Sequence, residues 1–234
     1  AQEPGTHLWH AHSGIQRVDG LFGALIVHEY SDENVHSSLY DFDLSEHVIV
    51  LSDWYNLTGM DKFNGFLYTD VNNKANDILI NGRSSTMLLV DEKNSSNVAR
   101  TPKATFQVEQ RKRYRFRLIN AGNLICPIEF SIDDHNLTLI ASDGKPIEPV
   151  DVDSVVVYVG ERYDFVLSAS QPIRNYWIRA KGLGDCKPHK SFQTAILSYL
   201  NGQSVNKWPT STDLIYENMS RSGVVSLLAA FLFS

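Results

Sequence analysis

Apolar and polar residues alternate with a period of two over many short stretches, and they almost nowhere recur with the period of an amphipathic helix. The pattern predicts an all-β chain. In the run Arg111 to Leu118, Tyr114, Phe116 and Leu118 project to one side, and Arg113, Arg115 and Arg117 to the other, as a pleated strand requires. The arginine row reads as a solvated outer face in preference to an anion site. Ser154 to Tyr158 and Tyr163 to Leu167, joined through Gly160, read as a hairpin. Further strands are expected at His47 to Leu51, Asp77 to Ile80, Thr105 to Val108, Leu137 to Ala141, Asn175 to Arg179 and Thr194 to Tyr199. Turn signals separate them at Asn81-Gly82, Asp143-Gly144-Lys145-Pro146 and Gly182-Leu183-Gly184. Seven or more short strands at regular spacing predict an antiparallel sandwich or Greek-key barrel. Its start is placed in the polar stretch Tyr30 to Glu46, and its periodicity fades from Gln203.

Composition narrows the class. A length of 234 residues allows one large domain, or one domain with part of another. With 43% hydrophobic and 21% charged residues the chain has the makeup of an ordinary folded protein. A formal net charge of −6 argues against nucleic acid or anionic lipid as a partner. The apolar run Gly223 to Ser234 is shorter than the roughly 18 to 20 residues that span a bilayer, and it reads as a frayed or truncated strand. Cys126 and Cys186 fit no CxxC motif, which leaves either one disulfide or two free thiols. Four sequons, beginning at Asn56, Asn94, Asn136 and Asn218, point to N-glycosylation, the secretory pathway and an extracellular location. The chain begins at Ala1 with no signal peptide ahead of it, which reads as a start removed by processing or an incomplete sequence.

The stretch richest in chemistry is Gly5 to Val27, where His7, His10 and His12 stand within six residues of one another. On a strand, residues i and i+2 share a face about 7 Å apart. His10 and His12 can therefore present two imidazoles side by side, while His7 faces oppositely. That spacing suits two adjacent metal ions better than one, and imidazole is a good ligand for copper, zinc and iron. A bare His-X-His is more often a surface or hydrogen-bonded pair than a metal site.

The surrounding residues alter that balance. Gly5-Thr6, His10-Ala11-His12, Ser13-Gly14, Gln16-Arg17, Asp19-Gly20 and Gly23-Ala24-Leu25-Ile26-Val27 together resemble the second histidine motif of the laccase-type multicopper oxidases. The form Gln16 to Gly23 looks most like the arthropod branch. The likeness continues at Leu51-Ser52-Asp53-Trp54, Ile80-Asn81-Gly82-Arg83, Arg115 to Ala121, Ile140 to Gly144 and Gly160 to Asp164, which resemble landmarks of the family's second cupredoxin domain. It covers about residues 1 to 205.

The resemblance implies a cupredoxin-like Greek-key fold and a copper oxidase. Such an enzyme oxidises phenolic or aromatic donors, or low-valent metal ions, and reduces dioxygen to water. It implies that His10 and His12 each give one ligand to the type 3 copper pair of a trinuclear cluster. The implied layout is the end of a first cupredoxin domain over 1–38, a complete second domain over 39–205 and a divergent tail over 206–234. Within that layout both cysteines fall in the second domain, where a Cys126–Cys186 disulfide is the preferred reading.

The family's earlier His-X-His-Gly motif, its late three-histidine motif and its His-Cys-His segment are absent from these 234 residues. Neither cysteine is flanked by histidine, so neither reads as a blue-copper ligand. Two cluster ligands cannot hold three coppers, so the chain by itself is expected to bind copper weakly at most. Leu21, Phe22, Leu25 and Val27 are expected to expose apolar surface. The alternative reading is a catalytically inactive cupredoxin module acting by protein contacts or without activity. Asp133-Asp134-His135 reads as a polar turn, Asp53 as structural, and His7 as packed or hydrogen-bonded.

Overall fold

The computed structural model describes residues 3–30, 32–68, 75, 77–84, 88–91, 94–123, 126–200, 209 and 224–225. A two-stranded ribbon comes first, β1 (Gly5–His10) and β2 (Phe22–Val27). There follow β3 (Phe42–Trp54), helix α1 (Gly59–Tyr68), β4 (Asp77–Ile80), β5 (Leu88–Asp91), β6 (Asn94–Arg100), β7 (Thr105–Glu109) and β8 (Arg113–Asn120). The remainder comprises β9 (Ile128–Ile132), β10 (Leu137–Ser142), β11 (Lys145–Val152), β12 (Ser154–Val157), β13 (Arg162–Ser168), β14 (Asn175–Gly182), β15 (Phe192–Leu200) and β16 (Val224–Val225).

Two six-stranded sheets form a sandwich, in the orders β11-β10-β13-β8-β3-β4 and β16-β12-β9-β14-β15-β7. β7 shows how alternation builds the core. Phe106 and Val108 are buried while Thr105, Gln107 and Glu109 are exposed. Across the interior, Phe116 and Phe165 stack with ring centroids 5.4 Å apart, and Phe130 of the facing sheet lies 5.9 Å from Phe165. Two tight turns follow from their sequence. Asn81-Gly82 and Asp143-Gly144 take positive φ at both residues, 49° and 70°, and 51° and 81°, as two-residue hairpin loops of this twist demand.

Of the apolar run at the end of the chain, only the backbone of β16 lies among the described residues, where it pairs in parallel with Ser154 and Val155. Among the described residues no helix is long and apolar enough to cross a membrane.

Three expectations are corrected. Ser154 to Leu167 is not a hairpin, because β12 pairs with β9 in one sheet and β13 with β8 and β10 in the other. The turn at Gly160 is real (φ 88°), but it carries the chain across the sandwich and does not fold it back on its neighbour. Helix α1 was not predicted, although Thr58 caps its N-terminus and bonds to Asp61. The Thr58 hydroxyl donates to Asp61 Oδ2 (2.7 Å) and accepts from the Asp61 N–H (3.3 Å).

The arginine row is the third correction. Arg113 is exposed and pairs with Asp41, but Arg115 and Arg117 are 4% and 2% exposed. Arg115 donates through Nε and Nη2 to Asp164 Oδ2 (3.0 and 2.6 Å). Arg117 grips both oxygens of Asp43 (3.0 and 2.5 Å) and reaches Asp164 Oδ2 at 3.1 Å. At Arg115 and Arg117 the polar face of β8 is covered by the ribbon and by the carboxylates of β3 and β13, and only its Arg113 end meets water. Burial alone would lower the Arg115 pKa, but the Asp164 carboxylate outweighs it and holds the guanidinium above its ordinary value.

Two histidines are sunk in the sandwich. His47 donates through Nε2 to the Gln107 carbonyl (2.9 Å) and packs on Phe116 and Tyr114, and its Nδ1 has no partner among the described residues. His135 lies between the Asp133 carbonyl and the Tyr199 hydroxyl, both at 2.6 Å. Burial lowers both pKa values below the ordinary 6.5, against the opposing pull of Asp43 and Glu46 on His47 and of Asp133 and Asp134 on His135. The unfolded chain therefore binds more protons than the native one below pH 6.5. Stability contributed by these neutral rings is complete above that pH and is lost as pH falls towards their folded values. Urea midpoints should decline from about pH 7 to about pH 5, and a His47→Gln/His135→Gln double variant should decline less steeply. Equal slopes would remove these histidines from the account.

Candidate metal centre

The ribbon that carries the histidines is short and antiparallel, with Gly5 opposite Val27 and His10 opposite Phe22. One further bond, Ala11 N–H to the Leu21 carbonyl (2.9 Å), extends the pairing past the end of β1. Beyond it residues 13–21 curl into a tight turn closed by backbone bonds such as Leu21 N–H to the Gln16 carbonyl (3.0 Å). His10 thus ends the strand and His12 stands at the mouth of the turn. Their ring centroids are 5.6 Å apart with a 34° tilt between planes.

His10 is part-buried and His12 exposed. His10 Nδ1 lies 3.0 Å from the Ala11 carbonyl, so that nitrogen carries the proton and Nε2 keeps its lone pair for a ligand. The pair therefore fits a role as metal ligands, one imidazole per ion. Among the described residues no group of three or more His, Cys, Asp or Glu side chains could hold a metal by itself. The two rings supply only part of a coordination sphere. His7 is turned elsewhere, its Nε2 3.1 Å from the Glu3 carbonyl.

The other candidates fall into structural places. Asp53 Oδ2 accepts from the Asn123 N–H (2.7 Å) and braces the segment after β8. Asp133-Asp134-His135 forms a turn, with Asp134 exposed at φ 60°. Asp133, however, is 5% exposed and pairs with Arg179 at 2.6 and 2.8 Å. Cys126 and Cys186 form a disulfide with a Cα–Cα distance of 5.7 Å. Asn56 and Asn136 are exposed. For Asn94 only the backbone is described, in β6, and Asn218 lies outside the described residues.

Sequence reasoning missed the contacts by which the ribbon is held. Arg17 donates through Nη2 to the Gly122 carbonyl (2.8 Å), and Asp19 Oδ1 accepts from the Gly59 N–H at the start of α1 (2.7 Å). Both residues were visible in the motif, but nothing local to them named their partners. An open cavity of about 840 Å³ lies beside this contact, lined by Val18, Phe22, Val50, Trp54, Tyr55 and Leu79 among others. It contains neither His10 nor His12. Leu21 and Leu25 are 48% and 44% exposed, as expected, whereas Phe22 and Val27 are half-buried; Trp9, 47% exposed, adds to the uncovered apolar surface.

Residues 45–202 match the multicopper oxidase family, and residues 1–32 match a second multicopper oxidase profile. The chain belongs to the multicopper oxidase family. It is 36% identical to Laccase-1 of Pleurotus ostreatus over 228 residues, which is 96% of this chain and 39% of that protein. It is also 36% identical to Laccase-2 of Agaricus bisporus, over 92% of this chain and 39% of that one. The crystal structure of the laccase from Botrytis aclada superposes with a TM-score of 0.70 at 31% identity, covering 90% of this chain and 37% of that one. Fet3p, a multicopper oxidase that functions in iron import, shares the fold at 20% identity and a TM-score of 0.65. The expected cupredoxin-like fold is thus observed. This multicopper oxidase chain spans about two fifths of the length of the relatives it matches.

Proposed function

We propose that this chain is the portion of a laccase-like copper oxidase that presents one imidazole ligand to each copper of a type 3 pair. In the whole protein, phenolic or aromatic donors, or low-valent metal ions, are oxidised and dioxygen is reduced to water. The observation that carries the reading is the His10–His12 pair, whose rings stand side by side at 5.6 Å within the family's own motif. Copper, when bound, would supply one-electron steps on the donor side and help dioxygen take up the four electrons it needs.

What the chain itself contributes is ligand geometry. The Ala11 carbonyl holds the His10 tautomer, and the ribbon pairing fixes the strand that bears the ring. The reading includes a division into the end of a first cupredoxin domain over 1–38, a second domain over 39–205 and a tail over 206–234. It also includes an extracellular location with glycans at Asn56, Asn94, Asn136 and Asn218. Exposure of Asn56 and Asn136 is compatible with that last part.

The deciding experiment is a Cu(II) titration of the 234-residue chain followed by electron paramagnetic resonance. Weak binding with nitrogen hyperfine structure is expected, and His10→Ala and His12→Ala should each weaken it at least tenfold. Binding that ignores both substitutions would end the assignment. Treatment of secreted material with an N-glycosidase should lower its apparent mass, and no change would remove the glycan part of the reading.

A further inference from the structure

Thr6 lies on β1 four residues before His10, and its side chain is fully buried. Its hydroxyl donates to Asp164 Oδ1 (2.6 Å) and accepts from Arg117 Nη1 (2.7 Å), so both hydrogen-bonding capacities are used inside the sandwich. Arg162 Nε donates to the Thr6 carbonyl at 3.2 Å. At the preceding position the backbone of Gly5 runs against that of Gly144. A side chain there would come within 2.4 Å of the Gly144 carbonyl oxygen, and φ is 126°. Five and seven residues after His12, Arg17 and Asp19 make the contacts with Gly122 and Gly59 described above. The histidine segment is therefore clamped on both sides by groups from the sandwich, while His10 and His12 themselves are part-buried and exposed.

We propose that Thr6 is a positioning residue for the His10–His12 pair, transmitting the fixed geometry of the Asp164–Arg117 pair along β1 to the two imidazoles. Resting on the proposed copper role of those rings, this assigns the sandwich a part in shaping the site. The physical basis is stiffness. A two-stranded ribbon is marginal by itself in water, so its terminal rings hold one relative orientation only if the strand is anchored elsewhere. Thr6 is the anchor with charged partners on both sides, and hydrogen bonds to charged groups are stronger than neutral ones.

The test compares Thr6→Val, which keeps shape but removes the hydroxyl, with Thr6→Ser, which restores it. Two readouts are needed on the full 234-residue chain. The first, free of metal, is the nuclear magnetic resonance of the His10 and His12 rings. Wild type should give two distinct, sharp sets of ring signals. Thr6→Val should broaden them or bring them together, and Thr6→Ser should return them to the wild-type positions. The second is Cu(II) affinity, expected to fall about tenfold in Thr6→Val and to recover in Thr6→Ser. Amide exchange in β9 and β14 should stay at wild-type rates throughout, which separates loss of positioning from loss of fold. Unchanged ring signals in Thr6→Val would overturn the proposal, as would ring signals in Thr6→Ser displaced as far as those in Thr6→Val, since a retained hydroxyl would then not restore the pair. If His10→Ala and His12→Ala leave Cu(II) binding intact, the copper reading fails, and the metal-free ring signals still decide whether Thr6 positions the pair.

Discussion

Asp164→Ala should cost about 3–5 kcal/mol of folding stability, the usual consequence of removing one partner from a buried ion pair. The carboxylate is 1% exposed and serves three groups at once, Arg115, Arg117 and the Thr6 hydroxyl. Without it, two buried guanidinium groups are left beside the single carboxylate of Asp43, 2.5 Å from Arg117 and 3.8 Å from Arg115. Arg115 also donates to the Tyr40 hydroxyl (3.2 Å), but a neutral oxygen does not replace the lost charge. Asp164→Asn should be milder, because an amide keeps one acceptor for the arginines while losing the charge. Arg113→Ala offers a comparison on the same strand. Its pairing with Asp41 is exposed and solvent-screened, so stability should barely change. Denaturant titration of the three variants checks the ranking. An Asp164→Ala protein as stable as Arg113→Ala would mean that the buried pair contributes nothing net.

That comparison also marks what the sequence could and could not convey. Alternation in β8 correctly separates Tyr114, Phe116 and Leu118 from the arginines, since the pleat alone enforces it. Alternation says that the two faces differ, and it does not say that the polar face meets water. The groups that neutralise Arg117, Asp43 and Asp164, are 74 and 47 residues away along the chain, and no local pattern links them. The same limit explains the segment from Ser154 to Leu167. Both strands and the turn at Gly160 are readable locally, but strand pairing is a property of the whole sandwich. Helix α1 spans only ten residues, too short for its period to stand out, and its one clear signal was the Thr58-X-X-Asp61 cap.

The candidate site was legible to a different depth. His10 and His12 could be named from their spacing and are adjacent in the fold, although only His10 lies in β1 and His12 follows the strand's end. The residues that hold their strand could not be named. Thr6, Arg17 and Asp19 stand in the same motif, but their roles depend on Asp164, Gly122 and Gly59, each brought near by tertiary folding. His47 and His135, which match no ligand pattern, are instead buried in the sandwich.

Removing the Cys126–Cys186 disulfide as a Cys126→Ala/Cys186→Ala double variant should cost about 4 kcal/mol, the chain-entropy value for closing a loop of this length. The two cysteines are 60 residues apart, and the loop between them contains β9 through β14. In the folded protein the bond adds little constraint of its own. Cys126 lies just before β9 and Cys186 just after β14, and these strands already pair, with Ile128 opposite Gly182. In the unfolded chain nothing else keeps those ends together, so the main effect of the bond is to reduce the entropy of that state. The local cost of substitution is small by comparison, because Cys126 and Cys186 pack in a minor cluster with Ala75 and Tyr55 and not in the main core. A matching loss should appear when the wild-type chain is unfolded in the presence of a thiol reductant, and the double variant should be insensitive to that reductant. Equal urea midpoints for the oxidised wild type and the double variant would mean that the unfolded chain keeps residues 126 and 186 close without the bond. In that case the β9–β14 pairing would have to persist in the unfolded ensemble, which amide exchange under denaturing conditions would detect.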